Sequence, residues 1–338
     1  MAKLLIRGAR VIDPSTHRDG RFDVLIERGK ITDIQPSIPA NGAKVLDASG
    51  HLLVPGFVDL HTHLRQPGRE DKETIATGLR AAARGGFTTV CAMPNTEPAI
   101  DERGLVDFIH QEAQRVGLGT VRVIGAVTRR RQGQELTDFG ELFEAGCVAL
   151  SDDGHPVADS LLMRRALEYA TVFDRPIIQH AEDLTLTAGG VVHEGLVSTT
   201  LGLRGIPSES ESVVVARDLA LAELTGGWIH FAHLSSAQSV ELVRQAKRRG
   251  VRVTCEVTPH HLALTHEAVE GFNTDAKVNP PLRTEQDRLA LLEGLRDGTI
   301  DCIATDHAPH TDWEKDADFD SAPFGISGLE TALGVCVA

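Results

Sequence analysis

The chain has 338 residues, 41% hydrophobic and 24% charged, which fits a globular protein with a large core. A formal charge of −14 and only 4% aromatic residues argue against a nucleic-acid surface, although local arginines could still hold an anionic substrate. No apolar run approaches the roughly 20 residues needed to span a bilayer, and charge interrupts the first residues (Lys3, Arg7) too early for a signal peptide.

Residues 1–54 read as a small β module: Leu4-Leu5-Ile6-Arg7-Gly8, a single run over 23–31 and Val45-Leu46-Asp47 are short strands between Gly-containing turns. From Pro55 the pattern changes. Apolar, strand-like runs at 57–61, 87–93, 121–126, 148–152, 176–180, 228–233, 251–257 and 302–306 alternate with helix-like stretches at 72–84, 102–115, 136–144, 161–169, 210–224, 237–249 and 285–295. The strands are short and nearly continuous in apolarity, as expected when both faces are buried. Eight such units predict a parallel (β/α)8 barrel over 55–338, which also suits the length, since one barrel takes roughly 250 residues. An open doubly wound sheet is the alternative, but no G-x-G-x-x-G follows an early strand. The run Leu333-Gly334-Val335-Cys336-Val337-Ala338 falls inside the expected eighth helix, so that helix is expected to be cut short or to dock elsewhere. The five cysteines are odd in number, widely spaced and without a C-x-x-C pair, which predicts free thiols and a cytoplasmic setting.

The chemistry sits at strand ends. His61-Thr62-His63 places two imidazoles on one face of a strand end, because strand side chains alternate. Asp153, His180, His233 and Asp306 each close another apolar run. Singly, each histidine reads as a satisfied core residue, and Asp153 as a turn aspartate before Gly154. Together, on strands of one barrel, the six side chains meet at the rim where barrel enzymes carry their active sites. A nitrogen-and-oxygen set of this kind suits zinc, with cobalt or manganese as alternatives.

The segments Gly56-Phe57-Val58-Asp59-Leu60-His61-Thr62-His63-Leu64-Arg65, Ala92-Met93-Pro94-Asn95-Thr96, His180-Ala181-Glu182, Thr258-Pro259-His260-His261, Asn279-Pro280-Pro281-Leu282-Arg283 and Asp306-His307-Ala308-Pro309-His310 resemble the dihydroorotases of the amidohydrolase superfamily, in matching order over the whole chain. The resemblance implies a metal-bearing barrel plus a β-sandwich built from both chain ends, so the N-terminal strands would lack C-terminal partners here. Many relatives bridge two metals with a carbamylated lysine on the fourth strand. This chain has Ser151-Asp152-Asp153-Gly154 there, so it resembles the branch with an aspartate at the bridge. The role is carried to Asp153, with Asp152 as the open neighbour.

The implied reaction is the reversible cyclisation of N-carbamoyl-L-aspartate to L-dihydroorotate, in the synthesis of pyrimidines. By resemblance, one or two zinc ions are held by His61, His63, Asp153, His180, His233 and Asp306. Metal-activated water attacks the ring amide, and Asp306 carries the proton. Arg65 binds the substrate carboxylate through two parallel hydrogen bonds, joined by Asn95, Asn279, His310 and the Phe324-Gly325 segment. The implied partners are the small-molecule substrate, further copies of the chain and aspartate transcarbamoylase, with no nucleic acid and no membrane. Competing readings are a hydantoinase or allantoinase, and an inactive scaffold for aspartate transcarbamoylase. His260 and His261 are expected to support the site from behind, and His155 and His193 to lie in loops. Arg129-Arg130-Arg131 is expected as a solvated loop, with a contact to another subunit as the alternative, and the long connection 181–206 as a border or cover of the site.

Overall fold

A computed structural model describes residues 3–338. Contacts divide the chain after Phe57. The first unit is a five-stranded sheet of β1 (Lys3–Asp13), β2 (Arg18–Glu27), β3 (Lys30–Gln35), β4 (Lys44–Asp47) and β5 (Leu52–Leu53), in the order β3-β2-β1-β4 with β5 also on β1. The single strand expected over 23–31 is instead a hairpin. Arg28 and Gly29 both take positive φ (55° and 76°), so the chain reverses in two residues and Glu27 faces Lys30. Such a turn matches the twist of the strands it joins.

The second unit is the barrel. Its strands are β6 (Phe57–Thr62), β7 (Phe87–Ala92), β8 (Thr120–Gly125), β9 (Cys147–Ser151), β10 (Ile177–Gln179), β13 (Ile229–Phe231), β14 (Val253–Val257) and β15 (Cys302–Ile303), with a small parallel pair, β11 (Val192–His193) and β12 (Gly205–Ile206), inserted after β10. The eight lie in chain order around one sheet. Closure falls to residues beyond β15: Thr62 and His307 form a parallel bridge, and His63 N donates to His307 O at 2.8 Å. The outer layer comprises α1 (Ile75–Gly85), α2 (Arg103–Val116), α3 (Phe139–Ala145), α4 (Ser160–Ala170), α6 (Glu209–Thr225), α7 (Ala237–Arg248) and α9 (Glu285–Arg296). Shorter helices are α5 (Leu196–Leu201), α8 (Pro259–Ala263), α10 (Asp312–Lys315) and α11 (Ala332–Val337).

Local chemistry sets the helix ends. Thr74 and Thr284 begin α1 and α9 as capping boxes, with Thr77 and Asp287 returning the bond, so α1 starts three residues later than the sequence suggests. The core lies between strands and helices, where Val90, Val123, Leu150, Ile177, Ile229 and Val257 meet Leu79, Ile109, Leu142, Leu167, Val215 and Val243. Among the described residues no helix is long and apolar enough to cross a membrane.

Candidate metal and substrate site

The strands stop short of most of the chemistry. His61 lies within β6, but Asp153, His180 and His233 lie one or two residues past β9, β10 and β13, and Asp306 three past β15. Two of these positions have unusual backbone. His233 and Asp306 take positive φ (32° and 47°), and Arg65 nearby does so too (60°). This conformation costs an L-residue about 1–2 kcal/mol, a cost the surrounding bonds must offset.

All six side chains expected at the rim come together. Three overlapping groups (His61, His233 and Asp306; His61, His63 and Asp153; Asp153, His180 and His233) each bring one nitrogen or oxygen per residue within 4.8 Å of one another, and every member is buried. Asp306 Oδ1 lies 2.9 Å from His63 Nε2 and 3.4 Å from His61 Nε2, and Asp153 Oδ1 3.4 Å from His233 Nε2. His61 Nε2 and Asp153 Oδ1 are fully buried and have no hydrogen-bond partner among the described residues. Orphaned polar atoms of this kind are costly unless a ligand completes them. Electrostatics point the same way. Burial alone would raise both carboxyls, yet His61 and the neighbouring imidazoles hold Asp153 and Asp306 well below the usual range. Burial alone would lower His180, yet Asp153 and Glu182 raise it to about 10. The cage therefore demands positive charge at its centre, and its donor set fits a divalent metal.

A cavity of about 340 Å³ opens above the cage. Arg65, Asn95, Asn279, Phe324 and Gly325 line it with His63, Asp153, His180, His233 and Asp306. His310 does not line it. Its Nε2 donates to Phe324 O at 2.8 Å and its Nδ1 accepts from Lys72 Nζ at 3.0 Å, so both nitrogens are spent on protein. Burial, Arg65 and Lys72 push the His310 imidazole down to about 4. Gly325 has φ +143°, and a Cβ there would sit 2.5 Å from Ala308 O and 2.8 Å from His310 Nε2, so only glycine lets the loop approach this closely.

The Asp152 alternative is removed from the cage: its carboxylate takes Thr128 N at 2.9 Å and bonds the Thr128 hydroxyl. The arginine run is not all solvated. Arg129 and Arg130 are exposed, but Arg131 turns inward and donates Nη1 to Asp153 O at 2.6 Å, gripping the backbone that carries Asp153. His193 lies in β11, not in a loop, and meets Arg283 Nη1 at 3.3 Å. His261 is buried between Thr258 Oγ1 (2.7 Å) and Pro280 O (3.0 Å), behind the loop that carries Asn279.

Sequence reasoning passed over three residues. Glu256 bonds His61 Nδ1 at 2.6 Å, and its carboxylate in the middle of an apolar run was a legible sign. Glu182 bonds both His180 Nε2 (3.0 Å) and Asn279 Nδ2 (3.1 Å). Lys277, two residues before Asn279, is 2% exposed, donates to Phe319 O and Asp320 O at 2.6 and 3.1 Å and lies 4.7 Å from the Phe324 ring centre. Glu182 stood in the His180-Ala181-Glu182 segment without a role, and nothing local in the sequence marked Lys277.

Residues 50–239 match the dihydro-orotase-like family model. Among similar proteins, the dihydroorotase of Pelotomaculum thermopropionicum is 56% identical over 333 residues, covering 98% of this chain and 78% of that protein. The dihydroorotase of Anaeromyxobacter sp. strain K is 55% identical over 337 residues, covering 99% and 78%. Among solved structures, the L-hydantoinase (dihydropyrimidinase) of Arthrobacter aurescens superposes with a TM-score of 0.87 at 24% identity, over all of this chain and 77% of that one, a likeness of fold. The barrel, the buried imidazole–carboxylate cage and these close sequence relatives agree that the chain belongs to the dihydroorotase-like family.

Proposed function

We propose that this chain is a dihydroorotase that interconverts N-carbamoyl-L-aspartate and L-dihydroorotate, and so serves pyrimidine synthesis. The observation that carries this reading is the six-membered cage with two orphaned atoms at the floor of a cavity walled by Arg65, Asn95 and Asn279. His61, His63, Asp153, His180, His233 and Asp306 would hold one or two zinc ions, with Asp153 as the shared carboxylate. When bound, the metal would lower the pKa of water towards neutrality and polarise the amide carbonyl.

The chain's own groups do the rest. The Arg65 guanidinium stands on the cavity wall, its Nε anchored on Pro309 O at 3.3 Å and its Nη2 3.4 Å from His310 Nε2, and in this reading it binds the substrate carboxylate. Asn95, with Oδ1 2.8 Å from His63 Nδ1, and Asn279, tied to Glu182, offer amide groups to the carboxylate and ring edge. His310 holds the Phe324 carbonyl in place, so it shapes the ring pocket from behind. Asp306 is ionised at neutral pH and borders the cavity. It takes the proton of the attacking water and gives it to the ring nitrogen as the C–N bond breaks. In ring closure it removes the proton from the ureido nitrogen and returns it to the departing oxygen.

All five cysteines are free thiols, which fits a cytoplasmic setting. A homo-oligomer and contact with aspartate transcarbamoylase complete the reading, and sizing of the protein alone and with that enzyme tests both. The decisive experiment combines metal quantification with a substrate panel. Dihydroorotate should be hydrolysed in proportion to bound metal. Turnover of hydantoin or allantoin without dihydroorotate would overturn the assignment.

A further inference from the structure

Glu256 lies inside the barrel on β14 and is 1% exposed. A carboxylate in such a place is costly unless both oxygens are engaged. Here they are: Oε1 lies 2.6 Å from His61 Nδ1, and Oε2 3.3 Å from His230 Nε2. The chain of bonds continues, with His230 Nδ1 2.9 Å from Thr254 Oγ1, which lies 3.0 Å from Trp228 Nε1. Its direction is dictated by chemistry. An indole N–H only donates and a carboxylate only accepts. Trp228 therefore donates to Thr254, the Thr254 hydroxyl donates to His230 Nδ1, and His230 Nε2–H donates to Glu256. The other oxygen of Glu256 takes the proton on His61 Nδ1. That leaves the lone pair on His61 Nε2, the buried atom without a partner that faces Asp153 at 3.5 Å and Asp306 at 3.4 Å.

We propose that Glu256, oriented by the His230–Thr254–Trp228 series, is a positioning residue that fixes the tautomer and ring angle of His61 and thereby sets the cation affinity of the cage. The inference rests on the metal reading above. Its elements come from two paired stretches of chain, Trp228 with β13 and β14, so the support is built into the barrel wall and not into a mobile loop. An outer carboxylate on a ligating imidazole raises its basicity and is worth about 10- to 100-fold in metal affinity.

The test titrates metal-free wild type, Glu256→Gln and Thr254→Val with Co²⁺ and Zn²⁺ against a chromophoric chelator, and records the Co²⁺ absorption bands and the melting temperature of each metal-free protein. The glutamine amide can donate to His61 Nδ1 and move the ring proton to Nε2. Glu256→Gln should therefore bind either cation about 10- to 100-fold more weakly, with altered Co²⁺ bands. Thr254→Val breaks the series one step away, frees His230 to change tautomer and should weaken binding by more than about twofold but less than Glu256→Gln. Cation affinity of Glu256→Gln within about twofold of wild type, whatever its melting temperature, would overturn the proposal. If that variant does not fold, unchanged affinity in Thr254→Val would do so. A wild-type chain that binds no divalent cation would instead overturn the metal centre itself.

Discussion

In the proposed reaction Asp306 and Arg65 divide the work. Both pay for position with left-handed backbone, φ 47° and 60°, next to the cage. Asp306→Asn keeps the shape but cannot take a proton, so kcat should fall by at least about 100-fold, the usual scale of a lost general acid–base group. Calorimetry should still detect dihydroorotate binding to that variant, and near-normal turnover would remove Asp306 from the proton path. Arg65→Lys keeps the charge but loses the planar double contact. KM should rise about tenfold, the equivalent of 1.4 kcal/mol, with a smaller change in kcat, and an unchanged KM would take Arg65 off the carboxylate. The place of Asp306 in the cage was legible from the sequence because a carboxylate closing an apolar strand has few cheap explanations, whereas Arg65 was singled out by resemblance. Arg131 was misjudged for the converse reason. Three consecutive arginines read as a solvated surface, and only the positive φ of Arg130 and Arg131 turns one of them onto the Asp153 carbonyl.

Elements position the site through their ends and loops more than through their lengths. Lys277 holds the loop that carries Phe324 and Gly325 by donating to two of its carbonyls, while Gly325 N donates back to Lys277 O at 2.9 Å. Lys277→Met removes the donors and keeps the stem. KM should rise several-fold with metal content unchanged, and amide exchange should quicken over residues 318–326. Slow exchange there, with an unaltered KM, would show that the loop holds itself. At α9, Thr284→Ala removes the hydroxyl of the capping box and should cost about 1 kcal/mol in urea denaturation without altering kcat. Strand and helix order were readable from periodicity, but strand ends were not. The runs 176–180 and 302–306 were read as strands to their last residues, yet the strands end at Gln179 and Ile303. The final residues bend inward to the cage, and that bend depends on partners distant in sequence. The connection 181–206 likewise holds a parallel strand pair and a helix that no local pattern announced.

For the whole molecule, the cage links folding to charge. A chelator should abolish turnover and lower the melting temperature, since a ligand at 100 times its Kd stabilises by about 2.7 kcal/mol. Zinc should restore both. The metal-free protein should also lose stability as pH falls from about 6.5 to about 4. Burial, aided by neighbouring cations or imidazoles, pushes His193, His261 and His310 down to about 4. In that window the unfolded chain protonates these three histidines and the folded chain does not, which outweighs the single proton that Asp59, raised to about 6 by burial, takes up in the folded state, so unfolding gains with acid. His180, raised to about 10, stays protonated in the folded state and opposes the slope only near pH 6.5, where the unfolded chain is still taking up its proton. Glu182 and Glu314, held at about 2, lose their contribution only further down. A urea midpoint that stays flat between pH 6.5 and 4 would contradict the buried neutral state of these histidines.

By itself the sequence determined the class of fold and the identity of the cage. Alternation of apolar strands with amphipathic helices leaves few ways to bury both faces of every strand, and a barrel brings all strand ends to one rim. Local pattern carries that much because the periodicities of 2 and 3.6 residues are properties of the backbone. The outer support was decided by tertiary structure alone: which oxygen of Glu256 faces which imidazole, how Glu182 ties His180 to Asn279, and how Lys277 grips the cavity loop. Those contacts join residues up to 195 positions apart. Their geometry is the product of packing in three dimensions, and no periodicity along the chain records it.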